Sequence, residues 1–377
     1  MKKGWQTKTI GDMCEVIAGQ SPEGKFYNSE GNGLPFYQGK KDFGEKFIEA
    51  PTTWTTQTTK VAKEGDILMS VRAPVGPVNF STEEICIGRG LAAIRSGTQL
   101  NRDFLFYQLL HLQPEIAGKE GAVFASINKA EIEALPLAFA TLAEQQRIVG
   151  LLDEAFEGLA TAKANAEKNL QNARALFESH LQSVFTQRGP GWGEKSLVDV
   201  CTFINGRAYK KDEMLSVGKY PLLRVGNFFT NRDWYYSDLE LDADKYCDNG
   251  DLLYAWSASF GPRVWDGGKV IYHYHIWKVL PHASVVEKRF LLHLLEWDVD
   301  EIKKAHGTGT TMMHVSKGSM ESRIVPIPPL KEQAAIVSLL DDLREETQRL
   351  ARLYERKHAA LEALKKSLLH QAFTGEL

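Results

Sequence analysis

The sequence predicts an α+β fold: two similar mixed α/β heads, joined by two long antiparallel helices that form a coiled coil. Three observations predict it. A helix-opening segment occurs twice, the residues of the heads recur in the same order, and two long stretches with a periodic apolar stripe, Leu159–Arg188 and Leu330–Thr374, contain neither proline nor glycine. A long-period repeat of this kind indicates two copies of one unit related by a pseudo-twofold axis.

The repeat is clearest at the start of each helix. The segment Leu142–Asp153 recurs as Leu330–Asp341, 188 positions later, and the register holds as far as Phe185 and Phe373. The heads follow with small changes of offset: Trp5–Gly19 matches Trp192–Gly206, and Gly65–Leu68 matches Gly250–Leu253. The chain therefore divides into a first head (residues 1–141), a central helix (142–188), a second head (189–329) and a C-terminal helix (330–377).

Each predicted helix carries apolar residues at the alternating three- and four-residue spacing of a coiled-coil seam. Thr141 and Glu144 form a possible capping box at the start of the first helix. From Gln145 to Phe185 this helix spans roughly 60 Å at about 1.5 Å per residue. Its stripe needs a partner, and the similar stripe of the other helix, packed antiparallel, is the simplest one. A coiled coil that serves only architecture is the alternative, but it does not explain the large heads. The seam residues are Leu152, Phe156, Leu159, Ala166, Leu170, Ala173, Phe177 and Val184, then Leu340, Leu343, Leu350, Tyr354, Leu361, Leu364 and Leu368.

The heads mix short strands and helices. Asp66–Val71 and Val270–Trp277 are rich in β-branched and aromatic residues, which is typical of strands. Arg102–His111 and Lys288–Trp297 carry apolar residues at helical spacing.

Composition favours a cytoplasmic chain with no membrane association. The N-terminus lacks the apolar core of a signal peptide, and no apolar run approaches the ~18 residues that span a bilayer. The four cysteines are far apart, without a CxxC pair, which argues against a zinc site or a disulfide framework. The net charge of −3 gives no bulk attraction to nucleic acid, so any DNA contact must come from local clusters of Lys and Arg.

Taken together, these motifs make the chain resemble the specificity (S) subunit of type I restriction–modification enzymes. The resemblance covers the whole chain. It rests on the two Glu-Gln-x-x-Ile-Val helix openings, the Phe-Thr-Gly-Glu-Leu end, and head motifs that occur in a fixed order. These are Ile67–Gly76 and Cys86–Gly90 in the first head, with Gly250–Gly261 and Tyr274–Lys278 in the second. One departure is visible: the proline-rich approach at Pro326–Pro329 has no equivalent before the first helix.

The resemblance implies a function in a bacterial defence system. Each head is expected to be a target recognition domain that reads one half of a bipartite, asymmetric target in double-stranded DNA. The helices are expected to set the gap and to dock two methyltransferase (M) subunits, which bind S-adenosylmethionine and methylate adenine. Motor-nuclease (R) subunits that use ATP and magnesium complete such a complex. Two readers on a rigid spacer suit half-sites about one DNA turn apart or a multiple, roughly 10–10.5 bp.

The sequence carries none of the catalytic motifs that such a complex needs. It has no Asn/Asp-Pro-Pro-aromatic motif, no GxxxxGK[ST] loop, and no Pro-Asp pair that would begin a common nuclease signature. We therefore expect a non-catalytic DNA-recognition chain with no cofactor of its own. Two alternatives stay open: a self-contained nuclease or methyltransferase with an unfamiliar site, and a coiled-coil adaptor that never contacts bases.

In the first head, Arg72 is the best single candidate for a base contact, because Arg pairs bidentately with guanine. It lies in Ser70–Val75, which differs from the corresponding Ala255–Phe260 inside a shared frame. An Arg that pairs with a buried carboxylate is the alternative. Further candidates are Arg89 and four residues suited to phosphate, or simply to a solvated loop: Lys25, Tyr27, Lys40 and Lys41.

In the second head, the segment from Arg207 to Lys211 places three cations around an aromatic ring, the full set being Arg207, Tyr209, Lys210 and Lys211. Arg224 and Asn227 offer side chains that pair with guanine and adenine, although a structural role is equally compatible. Trp256, Ser257 and Arg263 lie on the divergent insert and at its edge. His273 and His275 alternate along the predicted strand, as expected of core packing or of a DNA-facing surface; a metal site would need a third ligand.

Overall fold

A computed structural model describes residues 4–116, 126–230, 232–257, 260–306 and 315–377. The chain divides into two compact units: Met1–Glu167 with Glu355–Leu377, and Lys168–Tyr354. Each unit contains one head and parts of both long helices. Residues 258 and 259 of the divergent insert lie outside the described residues.

The first head begins with a short strand and ends with the strand that pairs with it. Its 3₁₀ turns are Gly24–Phe26 and Lys40–Asp42, and its helices are α1 (Ile10–Met13), α2 (Arg102–Ile116) and α3 (Lys129–Glu133). Its strands are β1 (Gln6–Thr9), β2 (Cys14–Ala18), β3 (Tyr27–Asn28), β4 (Leu34–Tyr37), β5 (Trp54–Thr55), β6 (Val61–Ala62), β7 (Ile67–Ser70), β8 (Val78–Phe80), β9 (Ile85–Ile87), β10 (Leu91–Ser96) and β11 (Pro136–Phe139).

The second head, which follows helix α4 (Leu142–Gln187) and precedes helix α9 (Leu330–Thr374), repeats this order. Its helices are α5 (Leu197–Val200), α6 (Val225–Phe229), α7 (Lys288–His306) and α8 (Lys317–Glu321), with 3₁₀ turns at Lys211–Glu213 and Ala243–Lys245. Its strands are β12 (Gly193–Ser196), β13 (Cys201–Asn205), β14 (Tyr220–Leu223), β15 (Tyr235–Ser237), β16 (Tyr246–Cys247), β17 (Leu252–Ala255), β18 (Gly261–Val264), β19 (Val270–Tyr272), β20 (Ile276–Pro281) and β21 (Ile324–Ile327).

Two of the three sheets in each head correspond strand by strand. The order β2-β10-β7-β8 in the first head is matched by β13-β20-β17-β18 in the second, and the pair β1-β11 by β12-β21. The remaining sheets, β3-β5-β4-β9-β6 and β15-β14-β19-β16, each contain one parallel pair among antiparallel neighbours: β4 with β9, and β14 with β19. The predicted α+β fold with an internal repeat is confirmed.

The two long helices each contribute to the cores of both units. In the first unit, Leu152 near the start of α4 and Phe373 near the end of α9 join the core beneath α2. In the second unit, Leu340 near the start of α9 and Phe185 near the end of α4 do the same beneath α7. Each head is therefore held by the start of one helix and the end of the other, which is the antiparallel pairing that the sequence predicts. Complete burial of one such Phe or Leu side chain contributes about 1.5–3 kcal/mol.

A buried glutamine fixes the junction between each head and the helix that follows it. The side-chain amide of Gln145 donates to the carbonyl oxygens of Gln99 and Ala140, and its oxygen accepts from the backbone N–H of Asn101 at 2.8 Å. Gln333 makes the same three bonds to Val285, Pro328 and Glu287. Both glutamines are fully buried, so the repeated Glu-Gln motif opens each helix with its polar groups satisfied.

The local predictions are mostly confirmed. Thr141 accepts from the N–H of Glu144 at 3.4 Å at the start of α4, and the predicted helices at Arg102 and Lys288 are present and longer than expected. The prediction of one strand over Val270–Trp277 is wrong. The chain turns between β19 and β20, at residues 273–275. The N–H of Ile276 donates to the carbonyl of His273 across this turn, and the strands on either side belong to different sheets.

Candidate nucleic-acid interface

The parallel strand pairs bring two loops together at one edge of each head. In the first head, Phe36 and Tyr37 of β4 lie beside Cys86 and Ile87 of β9. In the second, Leu222 and Leu223 lie beside Ile271 and Tyr272. The residues that follow are therefore structural equivalents. We define the reading edge as Gln38 with Gly88–Gly90 in the first head, and Arg224 with His273–His275 in the second.

A repeated glycine explains why the reading edge keeps the same backbone in both heads. Gly19 follows β2, and a Cβ atom built there would lie 2.2 Å from the carbonyl oxygen of Gly88. A Cβ atom on Gly206 would lie 2.4 Å from the carbonyl oxygen of Tyr272. Any side chain at either position would displace the turn, so glycine recurs where two backbones approach closely.

In the first head, Arg72 and Arg89 converge on one cavity of about 250 Å³. Their backbones are fixed: Arg72 forms a β-bridge with Ser126, and the N–H of Arg89 donates to Ser21 Oγ at 3.2 Å. Both side chains are exposed, and neither forms an ion pair with a described residue. The backbone of Arg72 and Arg89 is therefore fixed, whereas both guanidinium groups remain exposed to solvent.

The buried carboxylate of this head already has a different partner. Asp66 is 3% exposed and accepts two hydrogen bonds from Arg95, at 2.9 and 2.7 Å. The pair raises the pKa of the Arg95 guanidinium, chiefly through these bonds. Because the carboxylate of Asp66 pairs with Arg95, it is not the partner of Arg72. This favours the interpretation of Arg72 as a base contact over the alternative, an Arg that pairs with a buried carboxylate.

Lys25 and Tyr27 are both engaged within the first head. Lys25 Nζ lies 2.6 Å from the carboxylate of Glu23, and both side chains are well exposed. The Tyr27 hydroxyl donates to the carbonyl of Pro22 at 2.9 Å, and its ring stacks on Phe36 at 4.7 Å. Contact of Lys25 with phosphate would exchange one exposed ion pair for another, at little cost.

Lys40 and Lys41 lie in a 3₁₀ turn that follows Gln38 of the reading edge. Lys41 Nζ is 3.7 Å from Asp42, whereas Lys40 forms no ion pair with a described residue. Both therefore flank the reading edge, as a pair of phosphate contacts would.

In the second head, Arg207 is a structural residue of the loop that carries the lysines. It donates to both carboxylate oxygens of Glu213, at 2.9 and 2.7 Å. These bonds, with one from the Lys210 backbone, lower the pKa of Glu213 to about 2. The Tyr209 hydroxyl is buried, and burial raises its pKa. The side chains of Lys210 and Lys211 are exposed, and their contact with phosphate stays a prediction.

Residues of the divergent insert mostly face inward. The Trp256 indole donates to the carbonyl of Tyr274 at 2.8 Å and stacks on Trp277, and Ser257 is 6% exposed. Arg263 donates to the carbonyl of Phe228 and pairs with Asp266, at 2.8 and 2.9 Å. A DNA contact by any of these three requires that an existing contact be broken; they stay predictions.

A cavity of about 510 Å³ lies at the reading edge of the second head. Arg224, Arg232, Asp233, Tyr235, His273 and His275 contribute to its lining. The Asn227 amide donates to the backbone carbonyls of Arg232 and Asp233, at 2.9 and 3.2 Å, and so holds the opposite wall in place.

The two histidines lie side by side although they do not share a strand. Their ring centroids are 4.8 Å apart. Burial, and then the proximity of His275 and Arg224, lower the pKa of His273 to about 4. His273 is therefore neutral at pH 7, and Arg224 and Arg232 supply the positive charge of this cavity.

Neither the possible metal ligands nor the cysteines of the described residues lie in surroundings that indicate reactivity. Among the described residues, no three His, Cys, Asp or Glu side chains are arranged to hold a metal ion. Cys201 is buried and Cys14 is half-buried, and burial raises the pKa of each thiol to about 12. Across the described part of the chain, no helix has an apolar stretch sufficient to span a bilayer.

Sequence reasoning missed Gln38, Arg232 and Asp233. Gln38 could have been found by aligning the heads through β4 and β14, since it stands where Arg224 stands. Arg232 and Asp233 carry no such signal, because they reach the cavity only through the turn that Asn227 holds.

Two heads share one frame and differ at its exposed edge, and each packs against parts of both long helices, which defines a protein built from two copies of one domain. A family model described as the type I restriction modification DNA specificity domain matches residues 2–170 and 190–355, and the chain belongs to this family. The resemblance stated from the sequence is thereby confirmed.

The relatives are named as specificity subunits. The chain is 38% identical, over 174 residues, to the putative type I restriction enzyme MjaX specificity subunit of Methanocaldococcus jannaschii. That match covers 45% of this chain and 40% of the relative, so the chain aligns with less than half of that protein. A match to the MjaIX specificity subunit of the same organism is 22% identical and covers 100% of this chain and 94% of the relative. These names agree with the prediction of a recognition chain rather than an enzyme.

Solved structures support the fold. A chain from a study of complex assembly and conformational transition in the type I R-M system has a TM-score of 0.85 at 20% identity, covering 100% of this chain and 99% of its own. The HsdS subunit from Thermoanaerobacter tengcongensis has a TM-score of 0.63 at 19% identity, covering 100% and 98%.

Proposed function

We propose that this chain is the specificity subunit of a type I restriction–modification complex in the cytoplasm. Each head reads one half of a bipartite, asymmetric target in double-stranded DNA, and the helices set the gap between the halves. The observation that carries this proposal is the repeat itself: two copies of the family's domain have equivalent helix junctions and unlike reading edges. Such a molecule suits a non-palindromic target in two parts.

The catalysts belong to other chains under this proposal. Two methyltransferase subunits bind S-adenosylmethionine and methylate adenine, and motor-nuclease subunits use ATP and magnesium. The flipping of the adenine out of the stack takes place in the methyltransferase. Purified chain supplied with S-adenosylmethionine and duplex DNA should show no methyl transfer above background; transfer would favour a self-contained enzyme.

Exposed leucines at repeated positions support the docking of two copies of one partner. Leu142 and Leu330 are both 44% exposed, and Leu151 and Leu339 are 42% and 51% exposed. Leu176 and Leu364, which are also equivalent, are 50% and 47% exposed. Exposed leucine that recurs at three equivalent positions is what two equivalent apolar contacts require.

The docking surface is tested by replacing an exposed leucine with lysine on one helix at a time. Leu151→Lys and Leu339→Lys should each reduce the complex to one methyltransferase per chain, measured by native mass spectrometry. Leu353→Lys is the matched control, because Leu353 is 41% exposed but its repeat equivalent is Asn165. Two methyltransferases bound to all three variants would contradict this docking surface.

The reading function is tested by replacement of one head. Deletion of the gene should abolish a set of methylated adenines in the host genome. Replacement of residues 1–141 by the head of another family member should change one half of the methylated motif and leave the other half and the gap unchanged. An adaptor that never touches bases would leave the motif as it was.

A further inference from the structure

Arg224 presents an available guanidinium group at the reading edge of the second head. Its side chain is exposed, forms no ion pair with a described residue, and lies over the Tyr235 ring at 5.2 Å. By contrast, Arg207 and Arg263 in the same head are committed to carboxylates. A guanidinium plane held against a ring, with its donors unused, is prepared for bidentate pairing.

The charge of the cavity distinguishes a base from a phosphate. A phosphate site is favoured by positive charge alone, but this cavity also exposes the carboxylate of Asp233 beside Arg224 and Arg232. Asp233 forms no ion pair with a described residue, so its charge is not masked. A carboxylate repels phosphate, whereas it accepts a hydrogen bond from the N4 amino group of cytosine.

Two further polar residues of the cavity, Asn227 and His273, add no positive charge to it. The Asn227 amide is used to hold the turn, and His273 lies half-buried against His275. The cavity therefore contains both guanidinium donors and a carboxylate acceptor. In the major groove, a G·C pair presents guanine O6 and N7 as acceptors and cytosine N4 as a donor.

We propose that Arg224 reads a guanine in the half-site of the second head, and that Asp233 accepts a hydrogen bond from the cytosine paired with it. This proposal rests on the proposed function. Gln38, the equivalent residue of the first head, carries the side chain that pairs bidentately with adenine. The two heads thus use one backbone position to read different bases.

The test maps methylated adenines in host cells that carry the full-length variants. Arg224→Ala should make one G·C position in the second half-site degenerate, with a loss of preference for guanine of roughly 10- to 100-fold. Arg224→Lys should relax the same position, because the ammonium group keeps the charge but loses the bidentate geometry. Gln38→Ala should relax one position in the other half-site and none in this one. Thermal unfolding of each purified variant separates misreading from misfolding.

Two outcomes overturn the proposal. If Arg224→Ala and Arg224→Lys fold and leave the motif unchanged, Arg224 does not read a base; uniformly weaker methylation at all sites with Arg224→Ala alone would identify a phosphate contact. An Asp233→Ala variant that folds and leaves discrimination at the affected position intact removes the role of Asp233, because alanine has no acceptor for the cytosine amino group. If instead deletion of the gene changes no methylation, the proposed function fails, and this result is distinct from either of those.

Discussion

The two heads are most alike where they meet the helices and least alike at the reading edge. Gln145 and Gln333 make the same three hydrogen bonds in equivalent places. At the reading edge, by contrast, the turn Gly88–Gly90 of the first head is replaced by His273–His275 in the second. The difference separates two tasks within one domain: the junction fixes the head, and the edge varies its chemistry on a fixed backbone.

The helix pair shows a related pattern within each unit. Lys365 Nζ lies 5.2 Å from the centroid of Phe156 in the first unit, and the Arg344 guanidinium lies 4.5 Å from that of Phe177 in the second. Phe156 and Arg344 are repeat equivalents, as are Phe177 and Lys365. In both units α4 supplies the aromatic ring and α9 the cation, so the two helices are complementary rather than identical.

The largest expected effect comes from breaking the feature that the heads share. Gln145→Ala should reduce the free energy of unfolding by about 3 kcal/mol, because it leaves buried backbone groups without partners. Gln333→Ala should cost a similar amount. Hydrogen exchange should report the loss locally, in α2 for the first variant and in α7 for the second.

Gln146→Ala is the matched control for this comparison. Gln146 is the exposed neighbour of Gln145, and its repeat equivalent is already Ala334. Its replacement should change stability by less than about 0.5 kcal/mol. Unequal costs for the Gln145 and Gln333 variants would show that the two junctions are not energetically equivalent despite their equal geometry.

The sequence predicts the shared parts of this molecule well because a repeat compares the chain with itself. The Glu-Gln motif, Gly19 with Gly206, and the apolar stripes all recur, and each has a packing or backbone role. Leu364 is an exception within the predicted seam, because it is 47% exposed. The turn at His273 was missed, since a run rich in β-branched and aromatic residues gives no sign that its two halves join different sheets.

The candidate site is less predictable, because residue type does not reveal which partner a charged group already has. Arg207 and Arg224 look equivalent in the sequence, yet Arg207 forms an ion pair with Glu213, whereas Arg224 forms none with a described residue. Arg72 and Arg95 differ in the same way, with Asp66 as the deciding neighbour. Such pairings depend on contacts between distant strands, which spacing along the chain does not encode.

The second-largest expected effect compares the stability that the cation–π contact contributes in each of the two units. Arg344 also donates to Glu296 and contacts His293, whereas Lys365 lies over the ring of Phe156 and forms no ion pair with a described residue. Arg344→Ala should cost about 2–3 kcal/mol, because the largely buried Glu296 loses a hydrogen-bonded cation. Lys365→Ala should cost about 0.5–1 kcal/mol, as expected of an exposed cation–π contact.

Denaturant unfolding of both variants checks this order. In the intact protein, burial acts to raise the pKa of Glu296, but the bonds from His293 and Arg344 keep it below its ordinary value. Arg344→Ala should therefore also raise this pKa, so that the variant takes up a proton at a higher pH than the parent does. Equal losses of unfolding free energy in Arg344→Ala and Lys365→Ala would mean that the cation–π contact, and not the bond to Glu296, accounts for the effect in both units.

The smallest expected effect is on the pH dependence of stability. It concerns only the second head, because Gly88 occupies the position of His273 in the first. The folded protein keeps His273 neutral until about pH 4, whereas the unfolded chain protonates it below its ordinary pKa of 6.5. The unfolded state thus binds more protons between these values, and stability falls as the pH decreases through this window. His273→Asn should remove this dependence. Relative to the parent, the variant should gain roughly 1 kcal/mol on going from pH 7.5 to pH 5, a value reduced for the partial exposure of the ring. Denaturant midpoints at both pH values measure the gain, and a difference between parent and variant that does not change with pH would place the titrating group elsewhere.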